Sequence, residues 1–141
     1  MAGKLFTIGY EKRTLEEYLA ILRDAGVTLL VDVRFNPLSH KKGFSKKALA
    51  QGAEAAGIRY AHMPELGIPS ARRKGLETRE QFDELFAAYA RELPKKREPL
   101  ERLRAWLDEG ERVALTCFER EADRCHRRYV AEALGDEVQH L

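Results

Sequence analysis

The run from Val27 to Val33 is apolar at every position except Thr28 and Asp32. A stretch this rich in leucine and β-branched residues, without polar alternation, suits a strand buried on both faces of a parallel sheet. Such a strand is expected to be central, with its neighbours reached by crossover segments. The remaining chain agrees, because short apolar runs alternate with segments of helical period. That pattern argues for an α/β fold with a mainly parallel sheet of about five strands and crossover helices. Leu5–Ile8 reads as the first strand, closed by Gly9 and Tyr10. Thr14 then caps a helix with Leu15, Leu19 and Leu22 on one face, which stops at Gly26. Ser45 opens a second helix to Ala56, and Ile58–His62 forms a short third strand. Pro64–Thr78, with Gly67, Pro69 and Gly75, reads as a polar loop long enough to cover a site. Helical period resumes through Phe82, Leu85, Phe86 and Tyr89, breaks at Pro94, and resumes from Pro99 to Leu107. Val113–Cys117 is the fourth strand, Arg124–Leu134 a last helix, and Glu137–Leu141 a closing strand.

The 141 residues are expected to form one domain over 1–141, and 44% hydrophobic with 34% charged residues is the balance of a folded chain. No apolar run is long enough to cross a bilayer, and the N-terminus lacks the apolar core of a secretory signal. A cytoplasmic location without membrane association is the expectation. Cys117 and Cys125, the only two cysteines, supply no disulfide framework and read as free thiols or site residues. With a net charge of only +2, anion binding has to come from local clustering.

Open α/β sheets bind ligands outside the carboxyl ends of their strands. The residues expected there are Gly9 and Tyr10, Asp32 and Arg34, His62 and Glu65, and Cys117 and Glu119. Cys125-His126-Arg127-Arg128 opens the last helix beside them. Asp32 shares its side-chain phase with Arg34 and reads first as an ion-pair partner. Arg34 reads equally as the other half of that pair or as a bidentate ligand for phosphate or carboxylate. Cys117 at a strand end has the bland reading of a small buried side chain. Cys125, near a helix N-terminus and two cationic neighbours, fits a reactive thiol. The sulfurs can meet if Phe118–Arg124 folds back, giving a redox pair or, with His62 or His126, a metal site. Neither the redox spacing nor paired zinc-ligand spacings are present, so no metal and no cofactor are expected. Arg120, Arg124, Arg127 and Arg128, with Arg72, Arg73 and Lys74 from the long loop, form either a phosphate-binding rim or a solvated face paired with Glu119, Glu121 and Asp123. Tyr10, Phe35 and Phe44 are candidates for stacking on a base or for the core.

Thr7-Ile8-Gly9-Tyr10-Glu11, Val31-Asp32-Val33-Arg34 with Pro37 and Ser39, Gly43-Phe44-Ser45-Lys46, Pro64-Glu65-Leu66-Gly67, and Cys117-x-Glu119 followed by Cys125-His126-Arg127 together resemble the Domain of Unknown Function 488 family. The motifs come in family order across nearly the whole chain. The resemblance implies a compact α/β domain of bacterial or archaeal type and no particular reaction. It also implies that Gly9, Asp32, Arg34, Pro37, Ser39, Glu65, Cys117, Glu119, Cys125, His126 and Arg127 are signature positions. His40 departs from the basic residue expected after Ser39, and Phe118 from the small residue expected between Cys117 and Glu119.

The first functional expectation is an enzyme acting on a phosphate-bearing substrate, a nucleotide or nucleic acid. Cys117, Glu119, Cys125 and Glu65 would be its catalytic groups. Gly9, Tyr10, Asp32, Arg34, Ser39, His126, Arg127 and Arg128 would bind the ligand. A non-catalytic nucleotide or nucleic-acid module is the alternative, and rhodanese-like or other thiol chemistry the third.

Overall fold

The computed structural model describes residues 3–37, 39, 41–119, 125–135 and 137–141. The strands are β1 (Lys4–Gly9), β2 (Leu29–Asp32), β3 (Arg59–His62), β4 (Arg112–Cys117) and β5 (Val138–His140). They form one five-stranded sheet in the order β3-β2-β4-β1-β5, and every pairing is parallel. The middle strand is therefore β4 and not the Val27–Val33 run. β2 is internal, as its composition requires, but its two neighbours are β3 and β4. A second strand buried along its length, Val113–Cys117, competes for the centre, and apolarity alone cannot rank the two.

Helices α1 (Leu15–Asp24), α2 (Lys46–Ala55), α3 (Ser70–Arg73), α4 (Arg79–Glu92), α5 (Arg97–Asp108) and α6 (Arg127–Leu134) connect the strands. α1 and α4 each start at a threonine in a capping box, Thr14 with Glu17 and Thr78 with Gln81, which satisfies amides that would otherwise lack partners. The expected long loop is partly ordered by a 3-10 turn at Pro64–Leu66 and by α3. Pro94 sits in a second 3-10 turn, Leu93–Lys95, that separates α4 from α5. The expected helix start at Arg124 lies outside the described residues.

The period-2 alternation of the strands divides the interior into two cores. Leu29, Val31, Val33, Val113, Leu115 and Cys117 face Leu85, Phe86 and Tyr89 of α4, Leu103 and Leu107 of α5, and Val130 and Leu134 of α6. Phe6, Ile8, Leu30 and Ala114 face the other way, onto Tyr18 and Leu22 of α1 and Leu49 and Ala53 of α2. The chain leaves β1 through α1 toward β2, whereas it leaves β4 through α6 toward β5. Adjacent strands that send their connections in opposite directions open a crevice at their carboxyl ends. No helix among the described residues is long and apolar enough to cross a membrane.

Candidate functional site

A cleft of about 180 Å3 opens at that crevice, lined by Tyr10 after β1, Arg34, Phe35 and Asn36 after β2, Cys117 at the end of β4 with Phe118 and Glu119 after it, and Ile68, Arg73 and His126. Several expected residues meet here, but the two sheet faces give them different surroundings.

On the α1/α2 side, Asp32 is wholly buried. Its carboxylate accepts from Arg34 Nε at 2.8 Å and Arg34 Nη2 at 2.6 Å, from the Arg34 backbone N–H at 3.1 Å, and from the Tyr60 hydroxyl at 2.6 Å. Arg34 Nη1 donates to the Phe44 carbonyl at 2.6 Å and the Tyr10 hydroxyl at 3.2 Å. Burial works against the Arg34 charge, yet the Asp32 hydrogen bonds and charge lift its pKa above the ordinary value. Burial and the same carboxylate push the Tyr60 hydroxyl up. This is the ion-pair reading, with the guanidinium turned to protein acceptors. Tyr10 stacks on Phe44, with ring centres 4.5 Å apart. Both rings are buried, so they fill the core on this side.

On the α4–α6 side the end of β4 and the entry to α6 bring the two sulfurs together. Cys117 and Cys125 are joined as a disulfide across Cα atoms 7.2 Å apart, the pairing that the sequence allowed beside free thiols. Both are buried; Cys117 borders the cleft. Arg127 Nη1 lies 3.3 Å from Cys117 Sγ and donates to the Glu119 carbonyl at 2.5 Å. Burial lowers the Arg127 pKa to about 10. The Glu119 carboxylate is 3.8 Å from Cys117 Sγ and 3.8 Å from Arg73 Nη1.

His126 is held between these groups. Its Nε2 lies 2.6 Å from the Val33 carbonyl, and its Nδ1 lies 3.3 Å from Arg73 Nη2 and 3.7 Å from Cys125 Sγ. A carbonyl only accepts and a guanidinium only donates, so the ring carries its proton on Nε2 and keeps a lone pair on Nδ1. Burial above all, aided by the Arg73 and Arg127 charges, pushes its pKa down to about 4. Tyr89 packs edge-on against the ring at 5.5 Å and donates to the Leu66 carbonyl at 2.5 Å.

Other expected residues stand apart. Glu65 is half exposed, pairs with Arg102 at 3.3 Å, and lines a separate shallow depression with Pro64, Arg72 and Lys96. The Ser39 hydroxyl accepts from the Lys41 amide at 3.2 Å in a local turn. Arg128 pairs with Glu132 one turn along α6 at 3.0 Å, as on a solvated face. Gly9 closes β1 opposite Cys117 in the ladder. His40, Arg120, Glu121, Asp123 and Arg124 lie outside the described residues.

Two residues matter more than sequence reasoning allowed. Arg73, one of several basic residues of the long loop, is the one that reaches the cleft; its Nε is buried with no hydrogen-bond partner among the described residues. Gly67 lies so close to the β2 exit that a Cβ there would sit 2.1 Å from the Phe35 nitrogen. Phe118 turns outward, 45% exposed, as does Phe35 at 47%, and both line the cleft.

The family model for Domain of unknown function DUF488 matches residues 14–134. The chain belongs to the DUF488 family. The match runs from the N-cap of α1 to the end of α6, and so includes the β2 exit, the cysteine pair and His126. No curated protein and no solved structure is similar enough to the chain to count as a match.

Proposed function

We propose that the cleft binds a small phosphate-bearing ligand of nucleotide class. The observation that carries this reading is the grouping of Arg73 with the exposed rings of Phe35 and Phe118 in one cleft. Arg34 spends its hydrogen bonds on Asp32, Tyr10 and Phe44, so the role of anion partner passes to Arg73. Its carboxylate neighbour among the described residues is Glu119, at 3.8 Å, which is loose for a charge-assisted contact. A guanidinium held this way can turn to a phosphate by parallel N–H donation, while Glu119 accepts from a base amino group or a sugar hydroxyl. The phenylalanines offer flat apolar faces for the base. At about 180 Å3 the cleft is smaller than the roughly 300 Å3 at which drug-sized sites begin. It therefore takes one moiety of a ligand whose remainder lies outside, and a single nucleotide fits better than a duplex.

Thermal-shift measurements with inorganic phosphate, ribose 5-phosphate and the mononucleotides, on wild type, Arg73→Ala and Phe118→Ala, test this. A mononucleotide at a hundred times its dissociation constant is expected to stabilise wild type by about 2.7 kcal/mol, a rise on the order of 10 °C. Both variants should lose most of that rise, and phosphate alone should give little. An equal rise in wild type and Arg73→Ala would remove the reading.

Dithiol chemistry is a second reading, favoured by Arg127 at 3.3 Å from Cys117 Sγ. A cation there stabilises the thiolate of the reduced pair. Fast alkylation of the reduced protein near neutral pH, abolished by Cys117→Ser, is the expected result; a slow rate typical of an ordinary thiol would exclude it.

A further inference from the structure

We infer that the reduced Cys117–Cys125 pair, together with His126, is a binding site for a borderline-soft divalent metal ion of the zinc class, with its remaining position facing the cleft. The inference does not rest on the nucleotide reading. The three donor atoms, two sulfurs and one ring nitrogen, all lie within 4.8 Å of one another, and the set of two thiolates and one imidazole is one that zinc takes when a coordination position is left open. His126 is already prepared as a ligand: its Nε2–H is fixed on the Val33 carbonyl at 2.6 Å, and the Nδ1 lone pair faces Cys125. That is the outer hydrogen bond by which metal-binding histidines are usually oriented. Arg127 Nη1, 3.3 Å from Cys117 Sγ, would serve as an N–H donor to a coordinated sulfur.

The backbone spacing also suits a metal. Bridged cysteines mostly keep their Cα atoms about 4.4–6.8 Å apart, and here the separation is 7.2 Å. Two bonds of about 2.3 Å at a tetrahedral angle hold sulfurs roughly 3.8 Å apart, so opening the reduced pair by rotation of its side chains makes room for the ion. The ligands come from the end of β4 and the entry to α6, both anchored in the sheet core. Cys117 and His126 border the cleft, which leaves the fourth position open to water or ligand. Metal on Nδ1 displaces Arg73 Nη2 from its 3.3 Å contact and releases that guanidinium toward the cleft.

A dithiol or phosphine supplies the two electrons that cleave the S–S bond and leave two thiols. The divalent ion then replaces the two thiol protons, which pass to solvent. The test uses tag-free full-length protein, reduced with a phosphine and handled without oxygen, titrated with Co2+ and then Zn2+. One equivalent of Co2+ should give the visible absorption of a tetrahedral site with sulfur-to-cobalt charge transfer, and Zn2+ should displace it stoichiometrically. His126→Gln should weaken binding by at least about tenfold, the scale of losses at metal sites, and Cys125→Ser should lower the charge-transfer intensity by about half. Should a variant fail to fold, the wild-type titration decides alone. Absence of charge transfer in reduced, folded wild type, or equal Co2+ affinity in His126→Gln, overturns the site. A nucleotide-induced thermal shift in metal-free protein would not restore it, so the two readings fail separately.

Discussion

The exits of β2 and β4 are adjacent, both polar in sequence, and built on opposite plans. At the β2 exit, Asp32 and Arg34 satisfy each other, and Tyr60, Tyr10 and the Phe44 carbonyl take what is left. At the β4 exit, a disulfide, a neutral imidazole and two guanidiniums share acceptors sparingly, and Arg73 Nε is buried without a hydrogen bond among the described residues. The first arrangement is a closed network of the kind that specifies a unique packing. The second sets a ring nitrogen, a sulfur and a guanidinium in long, loose contacts at the wall of a cleft. Polar residues at the ends of parallel strands are thus of two sorts, and the count of unspent hydrogen bonds separates scaffold from site.

Breaking the closed network should have the largest effect. Asp32→Ala leaves a buried guanidinium facing the Tyr10 hydroxyl and a carbonyl, with no counter-charge. Removing one partner of a buried pair typically costs about 3–5 kcal/mol. Urea denaturation should therefore find Asp32→Ala strongly destabilised, and Asp32→Ala with Arg34→Met should recover part of the loss. If the single variant is within about 0.5 kcal/mol of wild type, the range of ordinary surface changes, the β2 exit is not the scaffold described.

The β4 exit should answer to pH. His126 is neutral in the fold, with its pKa pushed down to about 4 from the ordinary 6.5. Facing it are Arg73, Arg127, Cys125 and, more distantly, Asp32. Because the folded value is the lower one, the unfolded chain binds the proton more readily, and stability falls as pH drops from about 6.5 toward about 4. Above 6.5 the residue contributes no slope, and below 4 the loss is complete. A shift of this size amounts to on the order of 3 kcal/mol across that window. His126→Gln should flatten this part of the stability curve, while Arg128→Ala, on the solvated face of the same helix, should leave it unaltered. A slope unchanged in His126→Gln would assign the acid sensitivity elsewhere.

Most of the scaffold is legible in the residues. The Val27–Val33 run marks an internal strand, Thr14 marks a helix start, and the shared phase of Asp32 and Arg34 foretells their pairing. The placement of β4 at the centre is not legible, because it depends on which of two buried strands the chain returns between. The site is less readable for a similar reason. Period 2 says that Cys117 and Asp32 each face a core, but only the pairing register, with Asp32 beside Thr116, reveals that they face opposite cores. Glu65, which the family resemblance marks as a signature position, stands outside the cleft, and Arg73 enters it from the end of α3, where Arg72 and Lys74 look the same in sequence. Basic residues this close in sequence are distinguished by where the backbone turns, which local composition does not show: Arg72 lines the neighbouring depression and Arg73 the cleft.

Gly67 packs against the β2 exit, and its replacement should give the smallest change in stability but an informative one. Its φ of −89° and ψ of 168° are open to any residue, so no left-handed backbone demands glycine. What demands it is contact: a Cβ would lie 2.1 Å from the Phe35 nitrogen and 2.5 Å from the Phe35 Cα. Those are backbone atoms that cannot swing aside as a side chain would. Gly67→Ala must therefore push the β2 exit away from the turn that carries Ile68 and leads to Arg73. Overpacking of this kind costs about 1–3 kcal/mol, less than loss of Asp32. Phe35 moves with the exit, so the cleft should widen between Phe35 and Ile68, and the nucleotide-induced thermal shift should fall even where the variant is fully folded. A variant with reduced stability and an undiminished ligand response would mean that Phe35 is not part of the binding surface, leaving Phe118 and Arg73 as its working elements.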